Sequence, residues 1–471
     1  MTAWSCSAGT VLKAASPCSI SRTSSPARAE GGSLLLPSLA RLAIRVYYRI
    51  RYGGEPIPAT GPVLLVANHP NSLLDPVVVM ASARRQVRFL AKAPLFADPK
   101  TAWFVKLGGA IPVHRASDDP TKMADNAAMF RAVHEALGQG DAVGLFPEGI
   151  SHAAPAMAPL RTGAARIALG AAPLVGGGFP VVPVGLTFRQ RDVFRSEARV
   201  VIGQPVAWDD LAARGVDDVE AVRELTTRVA EALAAITLNL ERWEDEPLVT
   251  CAVRVWEAEH QQPPATAERA RRITITTRLL AAIRASGDPE GAAVVRAVGQ
   301  HHRRLIRLGL RPVDLTVTLG WWHGARWAVR RLPVVLPLWA ALGVTGWLLF
   351  VIPYRLTAWI VNRFTLETDT RSTWQFLIGS GVYLAWVVGW GVVTGFVWNL
   401  WAALAVLVAV PVVGMAGLLV RERWRGAWDD LSRFVLMRSR DRLLTTLRQE
   451  QHDLAERLDA LYHRACAGET A

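Results

Sequence analysis

Cysteine is scarce in this chain of 471 residues. Cys6, Cys18, Cys251 and Cys466 are scattered, which argues against a disulfide framework and fits a reducing compartment. Metal-ligand spacing is missing too: His114 stands alone and His301-His302 are isolated, so no ion is expected. Residues 1–32 are poor in acids and hold no sustained apolar core of the kind a secretory signal needs, so none is expected there. They read as a disordered tail, with an organellar transit peptide as the alternative. The formal net charge of +13 comes without any zinc-finger or aromatic-platform signature, so no nucleic-acid partner is expected. An anionic membrane surface and phosphorylated substrates account for the charge better.

Charge itself is missing from three stretches, 332–352, 374–398 and 400–420. About 20 apolar residues cross a hydrocarbon core, and each stretch meets that. The apolar fraction of 51% and mean hydropathy of +0.21 fit a chain with a membrane part rather than one buried in lipid throughout. Most of the 18 tryptophans lie after residue 320, with Trp339, Trp347, Trp374, Trp398 and Trp401 near segment ends as interfacial anchors. Asn399 sits in a tight link that reads as a helical hairpin. Arg326, Arg330 and Arg331 precede the first stretch, and Arg421, Arg423 and Arg425 follow the last. The positive-inside tendency wants both clusters in the cytoplasm and hence an even number of crossings. One segment, 332–361 with its Pro353 and Arg355, is therefore expected to be re-entrant or interfacial.

The remaining chain divides by pattern. Residues 33–51 read as an amphipathic helix with Arg41, Arg45 and Arg49 every four residues. It either lies in a membrane interface or packs on the core, and a docking segment is assigned to 33–58. Residues 59–207 alternate short apolar runs with helical patterns. Strands are expected at 63–67, 87–91, 110–113, 143–146, 181–187 and 198–202. Helices are expected at about 76–83, 101–107, 121–139 and 160–171. This predicts an α/β domain with a mixed, largely parallel sheet flanked by helices. Residues 208–330 read as a helical subdomain with no chemical motif. The membrane region spans 331–421. Residues 422–471 form an amphipathic helix whose leucines either pair with a second copy, giving a homodimer, or pack on their own chain.

The chemistry centres on one strand exit. Val63 to Ala67 read as a buried strand that ends in Asn68-His69-Pro70-Asn71, with Asp75 just beyond. A histidine at a strand end with a nearby carboxylate suits general-base work. The imidazole takes a proton from a hydroxyl, while the carboxylate fixes its tautomer and stabilises the imidazolium. Taken alone, the pair is explained at least as well by a satisfied histidine beside a turn.

Three further segments change that balance: Gly108-Gly109-Ala110-Ile111-Pro112-Val113-His114-Arg115, Leu145-Phe146-Pro147-Glu148-Gly149-Ile150-Ser151 and Val181-Val182-Pro183-Val184-Gly185. In order and spacing the four blocks resemble the glycerolipid acyltransferase family, whose members acylate glycerol phosphates and lysophospholipids. The resemblance covers roughly residues 60–205. Five residues, not the family's usual four, separate His69 from Asp75. That spacing, Asn71, Gly149-Ile150-Ser151-His152, Pro159 to Ala164 and Phe194-Arg195-Ser196 are more similar to the fungal glycerol-3-phosphate/dihydroxyacetone-phosphate branch.

The resemblance implies a membrane-bound O-acyltransferase with its catalytic domain on the cytoplasmic face. It would move a fatty acyl group from acyl-CoA or acyl-carrier protein, as co-substrate and without a cofactor, to glycerol 3-phosphate or dihydroxyacetone phosphate. The alternative acceptor is lysophosphatidate or another lysophospholipid. His69 is the expected base and Asp75 its partner. Arg115 is the expected phosphate ligand, and Arg161 and Lys92 are further cations that could equally be solvated charges. Asn71, Gly109 and Gly149 complete the implied binding set. Glu148 either binds acceptor hydroxyls or ties its turn to Arg115 or Arg161. Pro183 is expected to shape the acyl wall. Ser72 is a rival nucleophile but lacks elbow glycines. Two other function classes stand beside this one: a lipid-binding protein with a dead acyltransferase domain, and a thioester hydrolase.

Overall fold

The computed structural model describes residues 35–114, 126–260, 266–316, 337–364, 370–439 and 441–468. The expected tail at 1–32 lies outside them. The first helix, α1 (Leu35–Tyr47), leads into β1 (Arg49–Gly54) and β2 (Val63–Ala67). Then come α2 (Leu74–Ala83), β3 (Val87–Lys92), α3 (Pro94–Ala97), α4 (Pro99–Leu107) and β4 (Ile111–Val113). After them follow α5 (Asn126–Gly138), β5 (Ala142–Leu145), α6 (Gly163–Val175), β6 (Val181–Phe188) and β7 (Glu197–Ile202). The strands make one sheet in the order β1-β7-β6-β2-β5-β3-β4. Every neighbouring pair is parallel except β6 and β7, which form an antiparallel hairpin. The mixed, largely parallel sheet expected from the alternating pattern is what forms.

β2 lies inside this sheet, between β6 and β5. Its five residues are all buried because the two faces carry different cores. Leu64 and Val66 pack with α5 and α6 on one side. Val63, Leu65 and Ala67 pack with α1 and α2 on the other. A continuous apolar run is what a strand covered on both faces needs.

Two boundaries differ from expectation. The amphipathic helix stops at Tyr47, and residues 49–54 join the sheet as its edge, so the docking segment 33–58 includes a strand. Arg49 and Arg51 fall opposite Glu197 and Arg199 of β7, with Arg51 3.1 Å from Glu197. Arg49 continues the every-fourth-residue spacing of Arg41 and Arg45, so the helical pattern runs on into the strand. α1 itself packs on the core through fully buried Ile44, followed just past its end by fully buried Tyr48, while Leu39 and Leu42 stay exposed. At the other end, α7 (Asp209–Ala212) and α8 (Val219–Ala234) extend the sheet domain past 207. Trp208, Leu211, Leu225 and Leu233 belong to its core. Pro183 sits within β6, inside the strand expected at 181–187, opposite Val66.

The helical part comprises α9 (Glu246–Glu259), α10 (Thr266–Ser286), α11 (Pro289–Leu308) and α12 (Pro312–Thr316). Three long apolar helices follow, α13 (Pro337–Val361), α14 (Arg371–Val397) and α15 (Leu400–Ser439), then α16 (Asp441–Gly468). The leucine stripe of α16 does not wait for a second copy. Leu454, Leu458 and Leu461 are buried against Cys251, Val255, Val294 and Val298 of α9 and α11. α15 continues as one helix past Arg421, where the apolar stretch ends, because Arg421 to Arg425 hold no breaker. The segment assigned to 422–471 is therefore two pieces, the end of α15 and α16.

α13, α14 and α15 are each long and apolar enough to cross a membrane. Large side chains such as Phe396, Trp398 and Trp401 project outward uncovered, as lipid-facing groups do. α13 and α15 cross at Gly346 and Gly417, where a Cβ on Gly346 would stand 2.9 Å from the Gly417 Cα. Small residues let the two backbones meet. Pro353 does not break α13 into a re-entrant pair. Its missing N–H leaves the Leu349 carbonyl free, and the Trp386 indole of α14 donates to that carbonyl at 3.0 Å. Asn399 caps α15, its Oδ1 accepting from the Ala402 N–H at 2.9 Å.

Candidate active site

The carboxyl ends of β2, β5 and β6 open on one edge of the sheet, where open α/β sheets place their ligands. Asn68 leaves β2 by extending the ladder with its side chain. Its Oδ1 accepts from the Leu186 N–H at 2.7 Å, and its Nδ2 donates to the Leu186 carbonyl at 3.0 Å. That aims the next residue. The His69 N–H donates to Glu148 Oε1 at 2.9 Å, and its carbonyl accepts from the His152 N–H at 3.2 Å. Phe146, leaving β5, stacks on the imidazole with centroids 3.9 Å apart and planes 9° from parallel.

His69 Nδ1 stands 2.8 Å from Asp75 Oδ2. Between them Ser72 takes a left-handed φ of 48°. Ser72 N–H donates to the Ser151 hydroxyl at 3.0 Å. Asp75 sits in the first turn of α2, where the helix dipole favours an anion. It is fully buried. Burial pushes its pKa up, opposed by the hydrogen bond and charge of His69, the Asn71 N–H and the Arg191 charge. Oδ2 takes both His69 Nδ1–H and the Asn71 N–H, the latter at 2.7 Å, while Oδ1 has no partner among the described residues. With Nδ1 donating, Nε2 is left as the acceptor on a ring that lines the cleft.

Glu148 is buried and bonded within the protein. Besides the His69 N–H, it binds His152 Nε2 at 2.5 Å and the Ala158 N–H at 2.7 Å, both through Oε2. Both oxygens are thus engaged by the protein, and neither bond goes to Arg161. Asn71 is fully buried too. It bonds Asp75, the Tyr48 hydroxyl at 3.0 Å and the Ser372 hydroxyl, rather than facing the cleft.

Gly109 enters β4 from its amino end, so the strand separates it from this edge. Arg161 lies exposed across Gly149 and does not line the cleft. Lys92, at the end of β3, is exposed and equally outside the lining. Arg115 is outside the described residues. Its neighbour His114 is clamped by Asn126, which accepts from the His114 N–H at 2.9 Å and donates to its carbonyl at 2.8 Å. Gly149 has a φ of +74°, and a Cβ there would stand 2.8 Å from Arg161 Nε. Gly149→Ala is expected to cost about 1–2 kcal/mol from the left-handed backbone alone. Thermal unfolding of the purified variant measures it.

The cleft encloses about 450 Å³ including its open mouth. One wall is apolar, with Met157, Leu186, Phe188, Leu238 and Trp243. His69, Glu148, His152 and Arg191 supply the polar groups. Arg191 follows β6 and lies 5.4 Å over the Trp243 ring. Its carbonyl accepts from the Tyr48 hydroxyl. Arg191, His152 and Trp243 were not singled out from sequence as site residues. Arg191 had only a generic signal, a cation just past the fourth block. Leu238 and Trp243 come from the region without a motif. Phe194-Arg195-Ser196 locks the same hairpin: Arg195 binds Glu422 of α15 at 2.6 and 2.7 Å.

Comparison with known proteins places part of the chain in a family. Residues 49–187 match the family model described as Acyltransferase. Glycerol-3-phosphate O-acyltransferase 2 of Saccharomyces cerevisiae is 30% identical over 193 residues, 40% of this chain and 25% of that protein. Glycerol-3-phosphate O-acyltransferase 1 of the same yeast is 23% identical over 368 residues, 71% of this chain and 47% of that protein. The chain thus spans about a quarter and about half of these relatives' lengths. Among solved structures, the 1-acyl-sn-glycerophosphate (LPA) acyltransferase PlsC of Thermotoga maritima aligns with a TM-score of 0.33 and 19% identity, over 42% of this chain and 76% of that one. Residues 49–187 are an acyltransferase-family domain.

Proposed function

We propose that this chain is a membrane-bound glycerolipid O-acyltransferase using acyl-CoA or acyl-carrier protein as donor and glycerol 3-phosphate as acceptor. The observation that carries the reading is the His69–Asp75 pair, 2.8 Å apart, with His69 in a cleft lined by apolar side chains and by Arg191. His69 Nε2 takes the acceptor hydroxyl's proton as its oxygen attacks the thioester carbonyl. The carbon–sulfur bond breaks, and the imidazolium returns the proton to the departing thiolate. Products are an ester and a free thiol, with no acyl-enzyme between them. Phe146 against the ring keeps it in plane. The family resemblance and the two yeast relatives support the acceptor, and the three apolar helices support embedding in a bilayer.

Arg191 is the Arg or Lys among the described residues that lines the cleft, and it is the proposed grip on the acceptor phosphate, a role the resemblance also implies for Arg115. A charge-assisted contact of this kind makes Arg191→Ala raise the acceptor KM by about 10- to 100-fold, with the donor KM little changed. Steady-state kinetics with each substrate varied in turn measures this. The apolar wall favours a second reading in which lysophosphatidate is the acceptor, its own chain lying there. Purified protein, a labelled long-chain acyl-CoA and a panel of glycerol 3-phosphate, dihydroxyacetone phosphate and lysophosphatidate separate the two. Turnover confined to lysophosphatidate removes the first reading. Free fatty acid released equally fast without acceptor removes both in favour of hydrolysis.

A further inference from the structure

Ser372 stands in the first turn of α14, fully buried against the sheet domain. Its hydroxyl donates to Asn71 Oδ1, 301 positions away in the chain. Asn71 is equally buried, and its donors are also in use. Nδ2 donates to the Tyr48 hydroxyl at 3.0 Å and the backbone N–H donates to Asp75 Oδ2 at 2.7 Å. Burial holds the Tyr48 hydroxyl well above its ordinary pKa, so it stays protonated and passes its own hydrogen to the Arg191 carbonyl. The amide of Asn71 is thus read at both ends, a donor at its oxygen and an acceptor at its nitrogen. That fixes its orientation, and with it the residue whose N–H shares Asp75 Oδ2 with His69.

Other contacts hold the first turns of α14 in place. Arg371 lies 3.6 Å from Asp192. The Tyr47 hydroxyl donates to Gln375 Oε1 at 3.0 Å, and Phe376 meets the Tyr47 ring edge-on at 5.5 Å. These are ordinary docking contacts. Ser372 differs because its partner bonds the carboxylate that orients the proposed base.

We infer that Ser372 is a positioning residue for the His69–Asp75 pair, so that the second apolar helix completes the site in the sheet domain. The inference rests on His69 being the general base. Ser372 reaches no substrate; it acts through Asn71. Without its hydroxyl the amide is free to turn, and the Asn71 N–H loses its fixed aim at Oδ2. The carboxylate then supports the imidazolium less well. Besides His69, the titratable or charged groups acting on Asp75 are Tyr48, across Asn71, and Arg191.

The test uses the full chain purified into lipid nanodiscs, with acyl-CoA and the acceptor that the panel identifies. Ser372→Ala is expected to lower kcat by about 10-fold, as small misplacements of a catalytic group do. Both KM values should stay within about 2-fold, since no substrate contact is lost. The lower limb of the pH–kcat profile should move to lower pH, because a less supported imidazolium deprotonates more readily. Wild-type kcat and an unmoved limb overturn the inference, whatever the melting temperature does. A kcat loss with an unmoved limb overturns it as well, since a merely structural role gives that pattern. If Ser372→Ala is not recovered folded, Ser372→Cys replaces it, keeping the size with a weaker donor. The same two outcomes then apply. His69→Ala is assayed in parallel. Wild-type turnover there removes the base itself, whereas an inactive His69→Ala beside an unaffected Ser372 variant removes only this inference.

Discussion

His69→Ala is expected to lose about 10²- to 10⁴-fold in kcat with little change in either KM, the range that a positioned general base contributes. The protein should remain folded. The His69 side chain is 13% exposed at the cleft mouth, so its removal opens space to solvent rather than a sealed cavity. The backbone bonds from His69 to Glu148 and His152 do not need the ring. Initial rates and thermal unfolding on the same preparation separate the two effects. A variant with wild-type turnover would end the proposed mechanism.

The same variant makes a prediction about stability and pH. Burial already raises the pKa of Asp75, and the imidazole is the first group opposing that rise. With the ring gone, the folded-state pKa climbs further above the unfolded value of about 4. A carboxyl raised on folding contributes stability that is fully present below its unfolded pKa and is lost as pH rises through the folded one. His69→Ala should therefore lose more stability than the parent as pH rises from about 4 towards neutrality. Melting temperatures across that range show it.

Much of the site was legible because local chemistry determined it. The run Val63 to Ala67 is apolar throughout because β2 is covered on both faces, and a buried strand followed by a polar turn gives away its exit. In the turn Phe146-Pro147-Glu148-Gly149 the glycine has a positive φ, which its residue type adopts without strain. What escaped is non-local. Arg49 continues the four-residue spacing of Arg41 and Arg45, yet Arg49 to Gly54 pair with β7, a partner some 150 residues on. Glu148 could not reveal that its carboxylate binds a backbone N–H on another strand exit, because backbone groups carry no sequence signature. Arg191 and Trp243 meet only when β6 and the segment before α9 converge. Pro353 signalled a break that a tryptophan from the neighbouring helix removes.

Asp75→Asn should separate activity from stability more sharply than any other change. The amide has the carboxylate's shape but one acceptor instead of two, and no charge. If its oxygen faces His69 Nδ1–H and the Asn71 N–H, its NH₂ takes the place of Oδ1, a buried position without a partner among the described residues. If it turns, the NH₂ meets Nδ1 and the Asn71 N–H and drives the proton to Nε2, which then cannot act as base. Either way the imidazolium loses its counter-charge. A loss of about 10³- to 10⁴-fold in kcat is expected, as for other histidines deprived of their carboxylate. Stability should hardly fall at neutral pH. The carboxylate is fully buried and its pKa is raised by that burial, so the fold carries a desolvation cost that a neutral amide lifts. Against this stand two hydrogen bonds that weaken on losing their charge. The two effects oppose each other, and the melting temperature should stay close to that of the parent. A pronounced drop in melting temperature with near-normal turnover would recast Asp75 as a structural anchor of α2, whereas an inactive, fully stable variant shows a carboxylate kept in the interior for the sake of its histidine.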